Sequence, residues 1–368
     1  MGKFINGILL VVLILSLSTV PSLAKNHHIN GKVAEPTASS PPGSYYREQK
    51  VALNSASPGA KIYYTTDGSI PTAESTLYTA AIPVNKDVTI KAIAIRGNEK
   101  SKGPAAKNEK QQSNVAEFTY TFETRSSIAA KFLGFTYKSM PYRLYVPENY
   151  DPAKSYPLVL FLHGGGERGM DNQKQLMGSD GAIIWAAPEN QAKHPAFVLA
   201  PQSRNVPDGG FTVTRDADNN VNLSRVFEVS EDLKTAYEVL QHVRGEYNID
   251  SNRLYSTGLS QGGFGTFNMN MEHPDLFAAM VPIAGGADPA KAHLIDHKPI
   301  WAFHAEDDSV IPVSYSRNII NAIENAGGKP IYTEYGTEMN YDHASWVPAY
   351  ENEEMIEWVF QQVKTFHN

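Results

Sequence analysis

Thirteen residues near the middle of the chain, Arg253-Leu-Tyr-Ser-Thr-Gly-Leu-Ser-Gln-Gly-Gly-Phe-Gly265, restrict the fold more than any other stretch. They hold the pattern G-x-S-x-G directly after a short apolar run. Residues 254–257 read as a strand and the residues from Gln261 onward as the start of a helix, which places Ser260 on the sharp turn between them. In that turn the Ser260 hydroxyl projects from the sheet, and Gly258 and Gly262 are small because a side chain there would collide with the crowded backbone. Gly263 and Gly265 extend the small-residue patch where helix and strand meet. In a chain of 27 glycines such a pattern also arises as an ordinary Gly-rich turn. Its context decides.

That context begins after residue 127, where strands and helices alternate. Strands are expected over residues 143–146, 158–162, 197–200, 254–257, 280–283, 300–303 and 331–335. Helices are expected over 231–245, 314–326 and 351–366, and the first of them puts Leu233, Ala236, Val239, Leu240 and Val243 on one face. Near-continuous apolar strands joined by helices imply a mostly parallel sheet covered on both sides, an α/β fold. Pro282 is awkward within a central strand and is placed at that strand's C-terminal end.

The preceding stretch, residues 35–122, has a different texture. Val51 and Leu53, Ile62 and Tyr64, the set Val88, Ile90, Ala92 and Ala94, and the set Phe118, Tyr120 and Phe122 recur at period two, with turn dipeptides Pro58-Gly59 and Asp67-Gly68 between them. A small all-β sandwich is expected, with the Lys-rich residues 96–110 as a long hairpin loop and a domain boundary near 123–127. Residues 128–368 form the second expected domain. At the N-terminus, Lys3, the apolar run 8–15 extending to Val20, Pro21 and Ala24 read as a secretory signal peptide, residues 1–24, too short to span a bilayer as a helix. The expected product is secreted and not an integral membrane protein. No cysteine is present, so there is no disulfide and no lipid-modified Cys. A net charge of -7 gives no support to nucleic acid as a partner.

A serine hydroxyl is a weak nucleophile and needs a base in reach and a carboxylate to fix the base's tautomer. The strand-turn-helix motif resembles that of α/β-hydrolases, and the resemblance implies the chain order Ser, acid, His. Of 11 histidines only His343 and His367 follow the acid loop, and His367 is the penultimate residue, so His343 is the expected base. Within His304-Ala-Glu-Asp-Asp-Ser-Val-Ile-Pro312 three carboxylates compete. Asp308 is preferred, with Glu306 and Asp307 as solvated loop charges and Asp342, beside the base, as structural. The Gly-rich run Leu162-His-Gly-Gly-Gly-Glu-Arg-Gly169 lets backbone approach closely, and by position the amides of Gly165 and Gln261 are expected to form an oxyanion hole. His163 precedes the nucleophile and is expected to be a hydrogen-bonding structural residue. No metal and no cofactor are expected, and substrate-binding residues are not identified.

Two resemblances follow from these motifs. Residues Gly43-Ser-Tyr45 and Pro58-Gly-Ala-Lys-Ile-Tyr-Tyr-Thr-Thr-Asp-Gly-Ser-Ile-Pro-Thr72 closely resemble the small Ig-like domain at the C-terminus of chitobiases and β-hexosaminidases, which implies an accessory spacer or glycan-associated module. Tyr63, Tyr64 and Tyr78 are candidate sugar platforms, though alternating Tyr on a strand is the pattern of half-buried packing. From about Phe132 onward the Gly-rich loop, the Ser turn, the Asp loop (H-x-x-x-D-x-x-[VI]-P) and the final His-x-Ser-Trp resemble α/β-hydrolases of the carboxylesterase, poly(3-hydroxybutyrate)-depolymerase-like and predicted-peptidase group, related to prolyl oligopeptidases. The resemblance implies an α/β-hydrolase and a serine carboxylesterase acting on small-molecule or polysaccharide esters, feruloyl and acetyl esters included. A serine peptidase, and a glycan-binding surface protein with a dead hydrolase domain, stay open as other readings; the chain lacks the propeller of prolyl oligopeptidases.

Overall fold

The computed structural model describes residues 33–97, 111–218 and 220–364. The expected signal peptide, most of the Lys-rich loop and His367 lie outside the described residues. Two compact units emerge: residues 1–39, 53–79 and 90–117 in the first, and residues 40–52, 80–89 and 118–368 in the second.

In the described part of residues 33–122 every regular element is a strand. Within the first unit Lys61–Thr65 pairs antiparallel with Val88–Arg96, whose end pairs with Gln111–Gln112, the return limb of the expected hairpin. Period two accounts for one face of Val88–Arg96 only, because Ile93 and Ile95 are buried as well as Ile90, Ala92 and Ala94. Tyr63 and Tyr64 are half-buried. In the second unit Gly43–Tyr45 runs parallel to Ala116–Phe122 and Gln49–Val51 antiparallel to Ile82–Val84, so this β-rich region is built of mixed sheets. Also in this unit, the Tyr46 amide donates to Glu189 Oε2 at 2.9 Å and the Tyr46 hydroxyl to Asp180 Oδ1 at 2.7 Å. The polar residues around 123–127 are no loop: Thr124 caps a helix, Arg125–Ala130, through reciprocal hydrogen bonds with Ser127.

The second unit is dominated by an eight-stranded sheet. We number its strands β1 (Leu133–Tyr137), β2 (Met140–Tyr145), β3 (Tyr156–Leu162), β4 (Phe197–Pro201), β5 (Ile249–Leu259), β6 (Ala279–Ile283), β7 (Trp301–Ala305) and β8 (Ile331–Tyr335). Their order is β1-β2-β4-β3-β5-β6-β7-β8. From β4 to β8 neighbours are parallel, while β1 and β2 form an antiparallel edge. Strand β1 is unforeseen in the sequence because it lies exposed at that edge and shows no buried alternation.

Burial on both faces explains the continuous apolar strands. Val159, Phe161, Val198, Ala200 and Tyr255 face one layer with Trp185, Tyr350 and Met355, whereas Leu158, Leu160, Phe197, Leu199 and Leu254 face the other with Leu233, Ala236, Val239, Leu240 and Val243. The last five are the expected face of helix Glu231–Glu246. At the C-terminus the single helix expected over 351–366 is instead a short helix, Trp346–Glu351, followed by Glu353–Gln361, whose N-cap Asn352 accepts from Met355 N–H.

Pro282 sits next to last in β6, near the end where it was expected. Met280 N–H bonds to Pro299 O and Ala284 N–H to Phe303 O, so alternate residues of β6 address β7. Pro282 occupies the middle position of that series and has no N–H to give. Accordingly the two strands meet at Ile283 and Phe303 and at a separate bridge from Met280 to Ile300, with the ladder broken between them.

Phe161 is fully buried in a central strand and stacks edge-on to Tyr350. Phe161→Ala should lower the unfolding free energy by about 3–5 kcal/mol, read from the denaturant midpoint of the sheet's unfolding transition; a loss within about 1 kcal/mol would contradict this core.

Candidate active site

Ser260, Asp308, His343 and the Gly-rich loop all follow the C-terminal ends of parallel strands: β5, β7, β8 and β3. Open parallel sheets carry their sites at that edge.

The turn at Ser260 is set by close backbone packing. Leu162 at the end of β3 is level with Gly258 on β5. A Cβ on Gly258 would lie 2.7 Å from the Leu162 carbonyl oxygen, and one on Gly262 would overlap that same carbonyl and lie 2.6 Å from the next one, His163 O. Only glycine fits at either position. Ser260 itself has φ 53° and ψ -119°, a strained conformation for a residue with a side chain. Its amide donates to Ile283 O at 2.9 Å, and its carbonyl takes the Gly263 and Phe264 amides that open helix Gln261–Glu272.

Ser260 Oγ is 2.9 Å from His343 Nε2, and His343 Nδ1 is 2.8 Å and 3.0 Å from the two oxygens of Asp308. A carboxylate accepts, so Nδ1 carries the proton and Nε2 is free to accept the Ser260 hydroxyl proton. Asp308 Oδ1 also accepts from the amides of Val310 (2.9 Å) and Ile311 (2.7 Å). Burial pushes the Asp308 carboxyl up, but the hydrogen bonds from His304 and His343, the charge of His343 and the Ile311 amide outweigh it and hold the group well below the usual carboxylate range.

From the sequence Asp307 is expected to be a solvated loop charge and Asp342 a structural residue. Both lace the acid loop to the histidine loop. Asp342 Oδ1 accepts from Ser309 N–H at 2.7 Å and Asp307 Oδ1 from Asp342 N–H at 3.1 Å, with Asp342 held at φ 47°. Neither touches the His343 ring. Adjacent carboxylates on a loop carry no sequence signal that separates such roles.

In the Gly-rich loop the expectation of close approach holds for Gly164, whose Cβ would lie 2.7 Å from Leu259, whereas Gly165 faces open space. The Gly165 carbonyl is held by Arg168 Nε at 3.0 Å, which fixes the orientation of the loop. Gln261 is the first residue of its helix, where amides lack an intrahelical partner. Its side chain, unremarked in the sequence, donates to Thr212 O at 2.9 Å and Thr214 Oγ1 at 2.7 Å and so fastens residues 211–214 over the helix. Beside them Phe227 and Tyr315 pack edge-on, around Phe264.

His163 lies apart from this line. Its Nδ1–H donates to Gly164 O at 2.6 Å and its Nε2 accepts from Ser203 N–H at 3.0 Å. Among the described residues no group of three or more His, Cys, Asp or Glu is placed to hold a metal ion, and no helix is long and apolar enough to cross a membrane.

With this geometry in view, residues 136–364 match the family described as "Putative esterase", and residues 35–105 match the chitobiase/β-hexosaminidase C-terminal domain. The chain belongs to that esterase family. A solved structure titled as a thermostable esterase is 35% identical, covering 85% of this chain and 88% of its own, with a TM-score of 0.60. Feruloyl esterase D of Neurospora crassa is 26% identical over 200 residues, 52% of this chain and 62% of that protein. Feruloyl esterase C of Emericella nidulans is 23% identical over 51% of this chain and 63% of its own length. Poly(3-hydroxyalkanoate) depolymerase C of Paucimonas lemoignei is 30% identical over 132 residues, 35% of this chain and 28% of its own. The chain thus spans about three fifths of the length of the feruloyl esterases it matches. Sheet and neighbours together make the second unit an α/β-hydrolase fold.

Burial lowers the pKa of His163 from 6.5 to about 4. Folded His163 is therefore neutral in a range where the unfolded chain binds a proton. Between about pH 6.5 and pH 4 the esterase should lose up to about 3 kcal/mol of stability as pH falls, from this group alone. His163→Gln should flatten that part of the stability-pH curve; an unchanged slope would show that the acid sensitivity lies elsewhere.

Proposed function

We propose that the chain is a secreted serine carboxylic-ester hydrolase in which Ser260 is the nucleophile, His343 the general base and then acid, and Asp308 the orienting carboxylate, with the Gly165 and Gln261 amides as oxyanion donors. The observation that carries it is the continuous hydrogen-bonded line from Asp308 through His343 to Ser260, on the sheet edge where the strained Ser260 turn meets the Gly-rich loop. Membership of the esterase family supports the reaction class.

As Ser260 Oγ attacks the ester carbonyl, its proton passes to His343 Nε2, and the resulting imidazolium is stabilised by the carboxylate of Asp308. Negative charge collects on the former carbonyl oxygen, where each preorganised N–H donor contributes roughly 3 kcal/mol. Collapse breaks the ester C–O bond, and His343 gives its proton to the departing alcohol. Water then attacks the acyl-enzyme with His343 again as base, releasing the acid and restoring Ser260. Because Asp308 stays ionised far into acid, protonation of His343 is what should end activity as pH falls, and kcat/KM should decline on the acid side.

The substrate class we infer is plant polysaccharide esters or other small acyl esters, feruloyl esters following the names of two relatives and acetyl esters following that of a bifunctional acetylxylan esterase/xylanase. A panel of p-nitrophenyl esters, feruloylated and acetylated xylan and peptide anilides decides the matter; turnover of anilides above esters would overturn the ester reading in favour of a peptidase. Ser260→Ala or His343→Ala should lower kcat by about 10⁴ to 10⁶, and a variant keeping a tenth of the activity would remove the mechanism. Asp308→Asn should cost on the order of 10⁴ by fixing the wrong tautomer, whereas Asp307→Asn keeps an acceptor for the Asp342 amide and should cost little. The opposite ranking would move the acid to Asp307.

For the domains we propose residues 35–122 as an accessory module, with glycan contact as its role, and residues 128–368 as the catalytic domain, with the module's residues 40–52, 80–89 and 118–122 belonging to the compact unit that holds the eight-stranded sheet. A chain from Glu123 to Asn368 retains Ser260, Asp308 and His343 but leaves Glu189 and Asp180 without their Tyr46 partners. It should hydrolyse small soluble esters within about threefold of the full chain, at reduced stability, and lose more on polymeric substrate, where tethering raises effective concentration. A folded truncation with no small-ester activity would overturn this division.

A further inference from the structure

His304, at the end of β7, has no role in the mechanism above, yet it is wholly buried against Asp308. Its partners determine where its protons are. On one side Nε2 is 2.9 Å from Ile311 O and 3.2 Å from Asp308 Oδ2. A backbone carbonyl only accepts, so Nε2 must carry a proton. On the other side Nδ1 is 2.7 Å from Ser316 Oγ, which is itself 2.6 Å from Gly285 O. Ser316 has one hydroxyl proton. Gly285 O cannot supply one, and two oxygens 2.6 Å apart with no proton between them repel, so the Ser316 proton lies toward Gly285. What remains for Ser316 Oγ to receive is a proton from Nδ1. Both ring nitrogens then act as donors.

We propose that His304 is an imidazolium built into the acid loop, and that it positions Asp308 for His343. This rests on the reading of Asp308 as the acid of the site. A buried cation needs a partner, and the Asp308 carboxylate provides one at 3.2 Å. Conversely, with Val310 and Ile311 on Oδ1, His304 on Oδ2 and His343 on both, every direction in which the Asp308 carboxylate can accept is occupied, so its rotamer is fixed. The charged groups around the pair are few. Glu334 faces His304 from β8 and is engaged by Arg317 and Tyr332, while Asp342 faces His343 from its own loop.

An electrostatic consequence separates this role from mere packing. The imidazolium beside Asp308 offsets part of the negative charge that His343 feels. Replacing it with a neutral side chain leaves His343 next to a bare carboxylate, which favours its protonated form. His304→Gln should therefore move the acid limb of kcat/KM upward by about one pH unit and lower kcat about tenfold or more, with KM little changed and rates normalised to sites titrated by a fluorophosphonate. In the unsubstituted protein, nitrogen-15 histidine NMR at about pH 8, above the ordinary histidine range, should show one ring with both nitrogens protonated. That signal is assigned by its absence in His304→Gln or, if that variant does not fold, by its displacement in Ser316→Ala. An unprotonated Nδ1 on His304, or an acid limb that stays in place in a folded His304→Gln, would overturn the proposal. Full labelling of Ser260→Ala by the fluorophosphonate would instead sink the reading of the site and leave the NMR result standing.

Discussion

The carbonyl of Leu162 is the point on which the site depends. Two backbone segments crowd against it: β5 through Gly258 and the following helix through Gly262, neither of which has room for a side chain. That contact forces the chain to reverse between strand and helix within a single residue, and Ser260 carries the strain as a positive φ. The same closeness brings the Gly-rich loop after β3 beside Ser260, because β3 and β5 are direct neighbours in the sheet. Nucleophile and proposed oxyanion loop are thus held together by one packing constraint.

The other half of the site comes from two loops that would otherwise be independent. His343 follows the edge strand β8 and has to reach back over β7 and β6 to Ser260. Among the described residues, that connection holds only two 3-10 turns, Thr337–Met339 and Asp342–Ala344. Asp342 takes the Ser309 amide, Asp307 takes the Asp342 amide, and Tyr335 O takes the Glu306 amide, so acid loop and histidine loop are stitched before the ring reaches its place. Asp308 then receives donors from both loops, and rigidity of this kind is what an orienting carboxylate needs.

Pro282 shows how much irregularity the sheet bears beside this apparatus. It removes a ladder bond between β6 and β7, yet Ile283 O still accepts the Ser260 amide and Ala284 still reaches Phe303. The loss falls on the ladder toward β7, while the ladder toward β5, which supports Ser260, stays in register over five residues.

Much of this is legible in the amino-acid sequence. Sheet strands buried on both faces announce themselves as continuous apolar runs, and helix Glu231–Glu246 by its 3.6-residue period, since both patterns follow from burial alone. The candidates are legible for separate reasons: Ser260 by the G-x-S-x-G pattern, His343 because the order Ser, acid, His leaves few histidines, and Asp308 only through the H-x-x-x-D-x-x-[VI]-P pattern, since three carboxylates compete in its loop. What the sequence could not show is whatever depends on a partner distant in the chain. Edge strand β1 has no buried face to mark it, the helix at Arg125–Ala130 is capped by a Thr-x-x-Ser pair that resembles a polar linker, and Asp307 and Asp342 acquire partners only when two loops meet. His304 is the sharpest instance. As a letter in a motif it is one more histidine, and only the placement of Ile311, Ser316 and Gly285 around its ring, brought together by folding, decides how many protons it holds.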